Sequence, residues 1–388
     1  MDTMTERPFA AARLEVDLSS VQANYRYMRG RLPNGVTVIS VVKSDAYGLG
    51  LVPVSTALHA AGCHDFLVAD IDEGLALRAA LPDVAIAVLR PDIRASGELC
   101  RAERLTPVVH APEEIARIAA TPFVLNVDTG FSRLGLSFDQ VRSLYVAGVF
   151  RHRPPHMMMT HLACSETPAD PLNVLQRNRF AQVRALLPGV RTSIAASAGV
   201  WLSPAYFRDA VRIGSALYGL NNAEADPNPL ARVIRLEARI LNVQPTPAGE
   251  AVGYAATFRT QRPSRIAVLG IGYAQGLPWR CANRLFVSIG PFKAPVVGRI
   301  SMEYVTVDVT DVPESIACVG AWAAIIGDDL PVEDVADAAG VNPQEILVRL
   351  GGASPRCYRS TEVSWKGRPA HSIARPYAEG APRDARLT

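Results

Sequence analysis

The sequence lacks the features that would indicate a metal centre, a disulfide framework or a membrane span. Its six cysteines lie far apart, without a CxxC pair or a His/Cys cluster at zinc spacing. No uncharged apolar stretch approaches about 18 residues, and the N-terminus lacks the basic and apolar segments of a signal peptide. We therefore predict no metal, no membrane association and a soluble cytoplasmic protein with reduced cysteines.

Blocks of like charge are also missing. The 40 basic and 37 acidic residues are scattered and give a formal net charge of +3. This balance argues against nucleic acid or an anionic membrane as a partner and favours a small neutral or zwitterionic substrate. With 388 residues, 49% of them apolar, the chain is long enough for about two domains.

The first part of the chain alternates short apolar runs with segments of helical length and period. Near-continuous apolar strands separated by helices indicate a parallel sheet covered by helices, and eight such units in about 200 to 250 residues predict a closed (β/α)8 barrel of the TIM type. In that architecture functional residues collect at the C-terminal ends of the strands. The predicted strands are 36–42, 65–70, 84–89, 106–110, 123–127, 157–161, 192–196 and 211–215.

From about residue 231 the pattern changes to strands without intervening helices, which predicts a mostly β second domain. Residues 221–229, rich in Pro and Asn, are typical of a linker. We predict a barrel over 10–230, a β domain over 231–375 with one short helix at 332–340, and an extended or poorly ordered tail at 376–388. The predicted β-domain strands are 233–243, 251–258, 265–273, 284–289, 294–297, 304–309 and 321–326.

Lys43 follows the first predicted barrel strand and begins the segment KSDAYGLG (43–50). Most lysines at a strand end reach solvent, but in a cleft desolvation and neighbouring cations can lower the pKa of the amine enough for Schiff-base chemistry. The segment resembles the cofactor-lysine motif of the alanine racemase family, in which the lysine carries pyridoxal phosphate. The resemblance implies pyridoxal 5'-phosphate as the cofactor of this chain.

A second segment, IGYAQG (271–276), resembles the GYADG motif of the same family. A tyrosine between glycines is usually a turn residue, but in that family it is the second acid/base and reaches the active site of the partner subunit. Racemisation of an α-amino acid needs a proton donor on each face of the α-carbon. The resemblance therefore implies a two-base mechanism with Lys43 and Tyr273 in a homodimer with shared active sites. A free tyrosine has a pKa of about 10, so a nearby cation would be needed to lower the pKa of Tyr273 toward the working pH.

The segment VLNVDTGFSRLGL (124–136) resembles the family pattern K-x-D-T-G-M-x-R-L-G. The resemblance implies that Arg133 helps to hold the phenolic oxygen of the cofactor and the carboxylate of the substrate. Many members carry a carbamylated lysine where this chain has Asn126, and an asparagine cannot be carbamylated. We hypothesise that a small anion such as chloride supplies the missing negative charge beside Arg133.

The segment VRIGSALYGL (211–220) resembles R-x-G-[IS]-A-x-Y-G-L, whose arginine faces the pyridine nitrogen. A guanidinium is always charged and only donates, so Arg212 would oppose protonation of that nitrogen and weaken the cofactor as an electron sink. A weaker sink favours fast reprotonation over transamination. His161, in THLA (160–163), matches the family histidine that hydrogen-bonds this arginine, although a histidine that ends an apolar strand is more often a core residue.

Donors for a phosphate group are predicted at the ends of the last two barrel strands, where the backbone N–H groups of Gly214 and Ser215 and the hydroxyl of Ser197 lie. The hydroxyl of Tyr47, which follows the first strand, is predicted to join them. The family usually has Asn before this serine, where this chain has Ala196.

The segment VGRISME (297–303) resembles V-G-R-[IV]-[CS]-M-D, in which the methionine N–H meets the substrate carboxylate, so Met302 is the matching residue. Gln275 and Glu303 replace aspartates of the family motifs, and a gate tyrosine of many members has no clear counterpart. The late family strings Y-E-I-L and R-x-P-R or R-Y-x-R-x-Y appear here only as QEIL (344–347) and SPRCY (354–358). These departures cluster at the mouth of the site, so the preferred side chain of the substrate could differ from methyl.

The resemblance extends from about residue 14 to 358 and identifies the chain as a member of the alanine racemase family, with alanine as the leading substrate. Serine or another small amino acid is the alternative. A pyridoxal phosphate decarboxylase of basic amino acids would have a glycine-rich phosphate loop and a late catalytic cysteine signature, and neither is found. A non-enzymatic pyridoxal phosphate-binding protein is usually only a barrel, so the β domain with Tyr273 argues against that function.

Overall fold

The computed structural model describes residues 10–118, 121–221 and 227–360, without the side chains of residues 93–96. Most of the predicted linker, residues 222–226, and the predicted tail at 376–388 lie outside the described residues. The strands are β1 (Ala12–Asp17), β2 (Thr37–Val41), β3 (Asp65–Val68), β4 (Ala85–Val88), β5 (Leu105–Val109), β6 (Val124–Asn126), β7 (Met157–Met159), β8 (Arg191–Ala196), β9 (Ala210–Ile213), β10 (Ile234–Thr246), β11 (Ala251–Val252), β12 (Phe258–Arg259), β13 (Ser264–Leu269), β14 (Phe286–Ile289), β15 (Phe292–Pro295), β16 (Val305–Asp308), β17 (Trp322–Ile326) and β18 (Arg356–Arg359). The helices are α1 (Leu18–Gly30), α2 (Lys43–Tyr47), α3 (Leu51–Ala60), α4 (Ile71–Ala80), α5 (Ile93–Ala102), α6 (Pro112–Arg117), α7 (Phe138–Val146), α8 (Val149–His152), α9 (Pro171–Leu186), α10 (Val332–Ala339) and α11 (Pro343–Ala353).

Strands β2 to β9 form a closed barrel in which each strand pairs in parallel with the next and β9 pairs with β2. This confirms the predicted barrel, and each of the eight predicted strands is a strand of the barrel. Both faces of these strands are apolar because one faces the interior and the other faces the helices. The interior is filled by Ile39, Val41, Leu67, Val108, Val124, Met157, Met159 and Ala210.

The prediction of a helix after every barrel strand was wrong for the last two strands. Short 3₁₀ helices follow instead, at Ala198–Trp201 and Pro204–Tyr206 after β8 and at Ser215–Tyr218 after β9. Helix α1, which precedes the first barrel strand, packs against the turn after β9. There the Asn24 side chain donates to Leu217 O (3.2 Å) and accepts from the N–H of Ala231 (2.7 Å).

A second, mostly β part confirms the predicted change of pattern. Its main sheet has the order β15-β14-β17-β10-β1-β18, and β13 joins β10 to β16. The first strand of the chain is a member of this sheet: β1 runs antiparallel to β10, with Leu14 opposite Leu236, and parallel to β18. The beginning and the end of the described chain therefore meet beside one another.

Three details of this part differ from the prediction. The expected strand 251–258 is divided into β11 and β12 by a 3₁₀ helix at Tyr254–Ala256, and the strand expected at 265–273 ends at Leu269. Helix α10 ends at Gly340 in the left-handed region, as predicted, but a second helix, α11, follows it. Within the described ranges, no helix combines the length and the apolar character that a membrane crossing would require.

Candidate active site

A cavity of about 590 Å³ lies at the C-terminal end of the barrel, where the loops after the strands line it. Of the ten predicted site residues, two lie outside it on the second part of the chain: Tyr273 and Met302, with 45% and 55% of their surfaces exposed. The other eight line the cavity: Lys43, Tyr47, Arg133, His161, Ser197, Arg212, Gly214 and Ser215.

The cavity surrounds the amine of Lys43 with groups that disfavour its protonation. Burial lowers the pKa of its amine, and the positive charges of Arg133 and Arg90 lower it further, whereas Glu73 acts in the opposite direction. A lowered pKa increases the neutral fraction of the amine, which is the nucleophilic form. The environment of Lys43 therefore suits covalent attachment to an aldehyde and proton transfer.

The backbone that follows Lys43 makes one turn of left-handed helix. Residues 44 to 47 have φ values of +56°, +54°, +54° and +58°, and none of them is glycine. This conformation costs about 1–2 kcal/mol per residue, so surrounding contacts must hold it. The N–H of Asp45 donates to Glu73 Oε1 (2.7 Å), Asp45 Oδ1 accepts from the N–H of Leu51 (2.7 Å), and Arg356 binds both the Asp45 carboxylate and Gly48 O. The turn sends the chain from Lys43 to Tyr47 so that both residues line the cavity.

Tyr47, Ser197 and Gly214 form one corner of the cavity. Ser197 Oγ accepts from the N–H groups of Gly214 (3.0 Å) and Ala216 (3.3 Å). A Cβ atom at position 214 would lie only 2.6 Å from the hydroxyl oxygen of Tyr47, so glycine leaves room for the phenol. Burial raises the pKa of Tyr47 to about 12, which keeps its hydroxyl a donor. The hydroxyl groups of Tyr47 and Ser197 can donate to a phosphate group directly, and the strand-end N–H groups would do so by exchanging Ser197 Oγ for a phosphate oxygen.

Arg212 lies at the base of the cavity and is fully enclosed. Its Nη1 donates to Ser193 O (3.1 Å) and Oγ (2.7 Å), and its Nη2 donates to Thr160 O (2.5 Å) and Ile194 O (3.2 Å). His161 Nδ1 lies 3.4 Å from Nη2 and accepts from it. Burial first, and the charges of Arg212, Arg133 and Lys43 second, lower the pKa of His161 to about 3, so the imidazole is neutral. The acceptors of Arg212 among the described residues are therefore neutral: three carbonyls, a hydroxyl and an imidazole.

Arg133 and Asn126 form another wall of the cavity, in the loop after β6 and at the end of β6. The guanidinium of Arg133 stacks on the ring of Phe131 at 4.2 Å. The Asn126 amide donates to His110 Nδ1 (3.1 Å) and to Leu134 O (2.9 Å), and His110 Nε2 donates to Leu89 O (2.7 Å). Both amide protons of Asn126 are therefore committed to protein acceptors, so an anion on this wall would depend chiefly on Arg133.

Several residues that line the cavity were not predicted from the sequence. Arg90 and His110 follow β4 and β5 within two residues, so their position at strand ends was an available signal. Gln344 reaches the cavity from the start of α11, in the second part of the chain. The available signal was the segment QEIL (344–347), which stands where the family has Y-E-I-L.

Tyr273 and Met302 lie together on the exposed edge of the second part. The N–H of Tyr273 donates to Ser301 O (3.1 Å), and that of Ala274 donates to Met302 O (3.0 Å). Gln275 and Glu303, both departures from the family motifs, contact each other, with Gln275 Nε2 donating to Glu303 Oε2 (2.7 Å). The two departures therefore form one hydrogen-bonded pair beside Tyr273.

Comparison with known proteins gives consistent matches along most of the chain. The family described as alanine racemase, N-terminal domain, matches residues 16–222, and that described as alanine racemase, C-terminal domain, matches residues 233–358. The chain is 46% identical to "Alanine racemase, biosynthetic" of Mesorhizobium japonicum, over 96% of each chain, and 48% identical to "Alanine racemase 3" of the same organism, over 92% of this chain and 93% of the relative. Among solved structures it resembles alanine racemase from Bartonella henselae with covalently bound pyridoxal phosphate, with a TM-score of 0.85 and 34% identity over 90% of this chain and all of the other.

Proposed function

We propose that this chain, which belongs to the alanine racemase family and is an isomerase of that type, interconverts L- and D-alanine with pyridoxal 5'-phosphate. The observation that carries the proposal is the convergence in one cavity of Lys43, three arginines and the hydroxyl groups of Tyr47 and Ser197. The residues present fit the cofactor: Lys43 would hold its aldehyde carbon, Tyr47, Ser197 and Gly214 its phosphate, and Arg212 its ring nitrogen.

When bound, the cofactor withdraws electrons from the α-carbon and so acidifies its proton. The neutral amine of Lys43 would then remove the proton on one face, and the resulting ammonium would return it. Arg133 would bind the substrate carboxylate and orient the α-carbon. Burial lowers the pKa of Arg212 to about 10, which still leaves the guanidinium protonated at neutral pH. As a cation that only donates, it would oppose protonation of the ring nitrogen.

The second proton donor would be Tyr273 of another copy of the chain. In its own chain Tyr273 lies outside the cavity, on an exposed edge beside Met302, and other exposed aromatic residues of this part include Tyr254, Trp279 and Tyr304. Exposed aromatic side chains are typical of protein interfaces. A homodimer in which each second part faces the partner's barrel would place Tyr273 on the face opposite Lys43, and the Met302 N–H near the substrate carboxylate.

The test is exchange of the α-proton in heavy water, with L- and D-alanine as separate substrates and with serine and other small amino acids in parallel. Exchange accompanied by inversion, fastest with alanine, is the expected result. Fastest inversion of serine would support the alternative substrate. Exchange without inversion would contradict the two-base mechanism. Cofactor binding without any exchange would indicate a non-enzymatic pyridoxal phosphate-binding protein.

A further inference from the structure

We propose that Arg356 is a positioning residue for Lys43: it closes the left-handed turn behind the lysine and thereby fixes the direction of the amine in the cavity. The inference rests on the proposed function only for the chemical role of Lys43. The contact itself joins the last described strand of the chain to the loop after the first barrel strand.

The position of Arg356 is set by a sheet rather than by a loop. It lies on β18, directly opposite Leu14 in the parallel pairing with β1, and 27% of its side chain is exposed. From there Nη1 contacts both the carboxylate of Asp45 and Gly48 O, the latter at 2.7 Å. One nitrogen atom therefore joins the middle of the left-handed turn to the residue that ends it.

Asp45 is the central residue of this turn. Its N–H is bound by Glu73, its Oδ1 caps the N–H of Leu51 at the start of α3, and its Oδ2 meets Arg356. Loss of Arg356 would leave Asp45 with two of these three contacts and Gly48 O without this donor. Because right-handed conformations are preferred at all four positions of the turn, the released backbone would sample other conformations and move Lys43.

Helix α11 limits how far this turn can relax on its other side. A Cβ at Gly351 would lie 1.8 Å from Gly48 O, and a Cβ at Gly48 would lie 2.8 Å from Leu347 O, so the two backbones touch. The turn is thus enclosed between α11 and Arg356. The pair itself is half exposed, with 51% of the Asp45 side chain accessible, and such ion pairs add little to global stability. Its effect should therefore be local.

The experiment compares Arg356→Gln with Arg359→Gln in the full-length protein loaded with pyridoxal 5'-phosphate. Arg359 is a matched control because it lies on the same strand, pairs with Glu15 at 3.8 Å and is more exposed. Amide hydrogen exchange is followed by mass spectrometry in peptides that cover residues 43–51. We expect exchange there to be at least about 10-fold faster in Arg356→Gln and unchanged in the control, with thermal unfolding altered little in either.

Steady-state kinetics give a second measurement. A displaced Lys43 should lower kcat at least about 10-fold while KM changes less than about 3-fold, because small misplacements of a reacting group affect the chemical step most. Arg356→Lys should recover part of kcat, since a single nitrogen makes both contacts. If Arg356 positions Lys43 through Asp45, the double variant Asp45→Asn/Arg356→Gln should have a kcat no lower than that of the more impaired single variant.

Three results would overturn the proposal: unchanged exchange in residues 43–51, equal acceleration in Arg359→Gln, or loss of kcat only in proportion to lost folded protein. Failure of the proposed function would be distinguishable from failure of the positioning role of Arg356. If the wild-type protein racemises no amino acid but Arg356→Gln still loosens residues 43–51 alone, the positioning contact stands and the assigned chemistry of Lys43 fails.

Discussion

Lys43 lines the barrel cavity, whereas Tyr273 of the same chain lies outside it on the exposed edge of the second part. Two groups that we propose to act on opposite faces of one carbon are thus separated within one chain. We predict that Lys43→Ala and Tyr273→Phe are each inactive and that mixing them under conditions of subunit exchange restores activity. Half of randomly paired dimers are mixed and each has one intact site, so roughly one quarter of wild-type activity should return.

The control is each variant mixed with itself through the same treatment. Absence of recovery, with mixed dimers demonstrated by a tag on one subunit, would show that Tyr273 does not act at the partner's site.

Gly214 is predicted to be intolerant of a side chain. A Cβ there would lie 2.6 Å from the Tyr47 hydroxyl and 3.3 Å from Val41 Cβ, so Gly214→Ala must displace a phenol of the phosphate corner. We expect cofactor affinity at least about 10-fold weaker, since charge-assisted bonds to the phosphate are lost, as measured by titration of the cofactor-free protein. Gly352→Ala is the control, because a Cβ at this helical position meets nothing within 4 Å. Equal affinity in the two variants would refute the assignment of this corner.

Local pattern predicted much of the fold and of the cavity. The eight barrel strands follow from apolar runs at regular intervals, and residues directly after those runs, such as Lys43 and His161, share the cavity because parallel strands end at one edge. The membership of β1 in the second sheet could not be predicted, because its partners β10 and β18 lie more than 200 residues away. Pairing across such distances depends on the complete fold.

The left-handed turn after Lys43 is a second feature that could not be predicted from the sequence. Positive φ is usually indicated by glycine, but residues 44 to 47 are Ser, Asp, Ala and Tyr, so nothing in the segment itself predicts the turn. The contacts that hold it come from Glu73 and Arg356, which are remote in sequence. The segment that begins with Gln344 was compared with a family motif, but its place in the cavity was not predicted because α11, which carries it there, was not predicted.

The chloride ion beside Arg133 stays a prediction, and it can be tested by the dependence of activity on halide. Asn126 already donates both amide protons, to His110 and Leu134, so the anion would be held mainly by Arg133. Replacing chloride by a large organic anion should then lower kcat/KM by less than about 10-fold, because one exposed cation binds halide weakly. Arg133→Met should abolish the halide dependence, and anomalous diffraction from bromide-soaked crystals should place the ion. No halide dependence and no anomalous peak near Arg133 would remove the hypothesis.

His161 should make the protein sensitive to acid. Its pKa is lowered to about 3 in the folded state and is about 6.5 when unfolded. Between these values the unfolded chain binds a proton that the folded chain does not, so stability falls as pH decreases from about 6.5, by up to about 1.4 kcal/mol per pH unit. His161→Gln, which can still accept from Arg212, should reduce this slope by about 1 kcal/mol per unit in denaturant unfolding between pH 6.5 and 4. His152→Gln, at an exposed helix end, should keep the wild-type slope, and identical slopes in all three proteins would contradict the assignment.

Arg212 is predicted to determine the type of reaction as well as its rate. Substitution by glutamate would place a carboxylate where Ser193, Thr160 and Ile194 offer carbonyl oxygens, and each unpaired buried acceptor costs about 1–3 kcal/mol. Arg212→Glu should therefore be destabilised as well as slow. Arg212→Gln is the better comparison, since it removes the charge but keeps two amide protons for these acceptors.

In both variants the ring nitrogen would no longer face a fixed cation, so the cofactor should become a stronger electron sink and the α-carbanion should live longer. We expect racemisation to fall at least about 100-fold, while pyridoxamine phosphate and pyruvate formed per racemisation turnover increase at least about 10-fold. Arg212→Lys keeps a positive charge and should leave that ratio close to the wild-type value, although with lower kcat. Because global destabilisation lowers both reactions together, the ratio reports only the electronic effect of Arg212, and an unchanged ratio in the glutamine variant would show that the guanidinium serves structure alone.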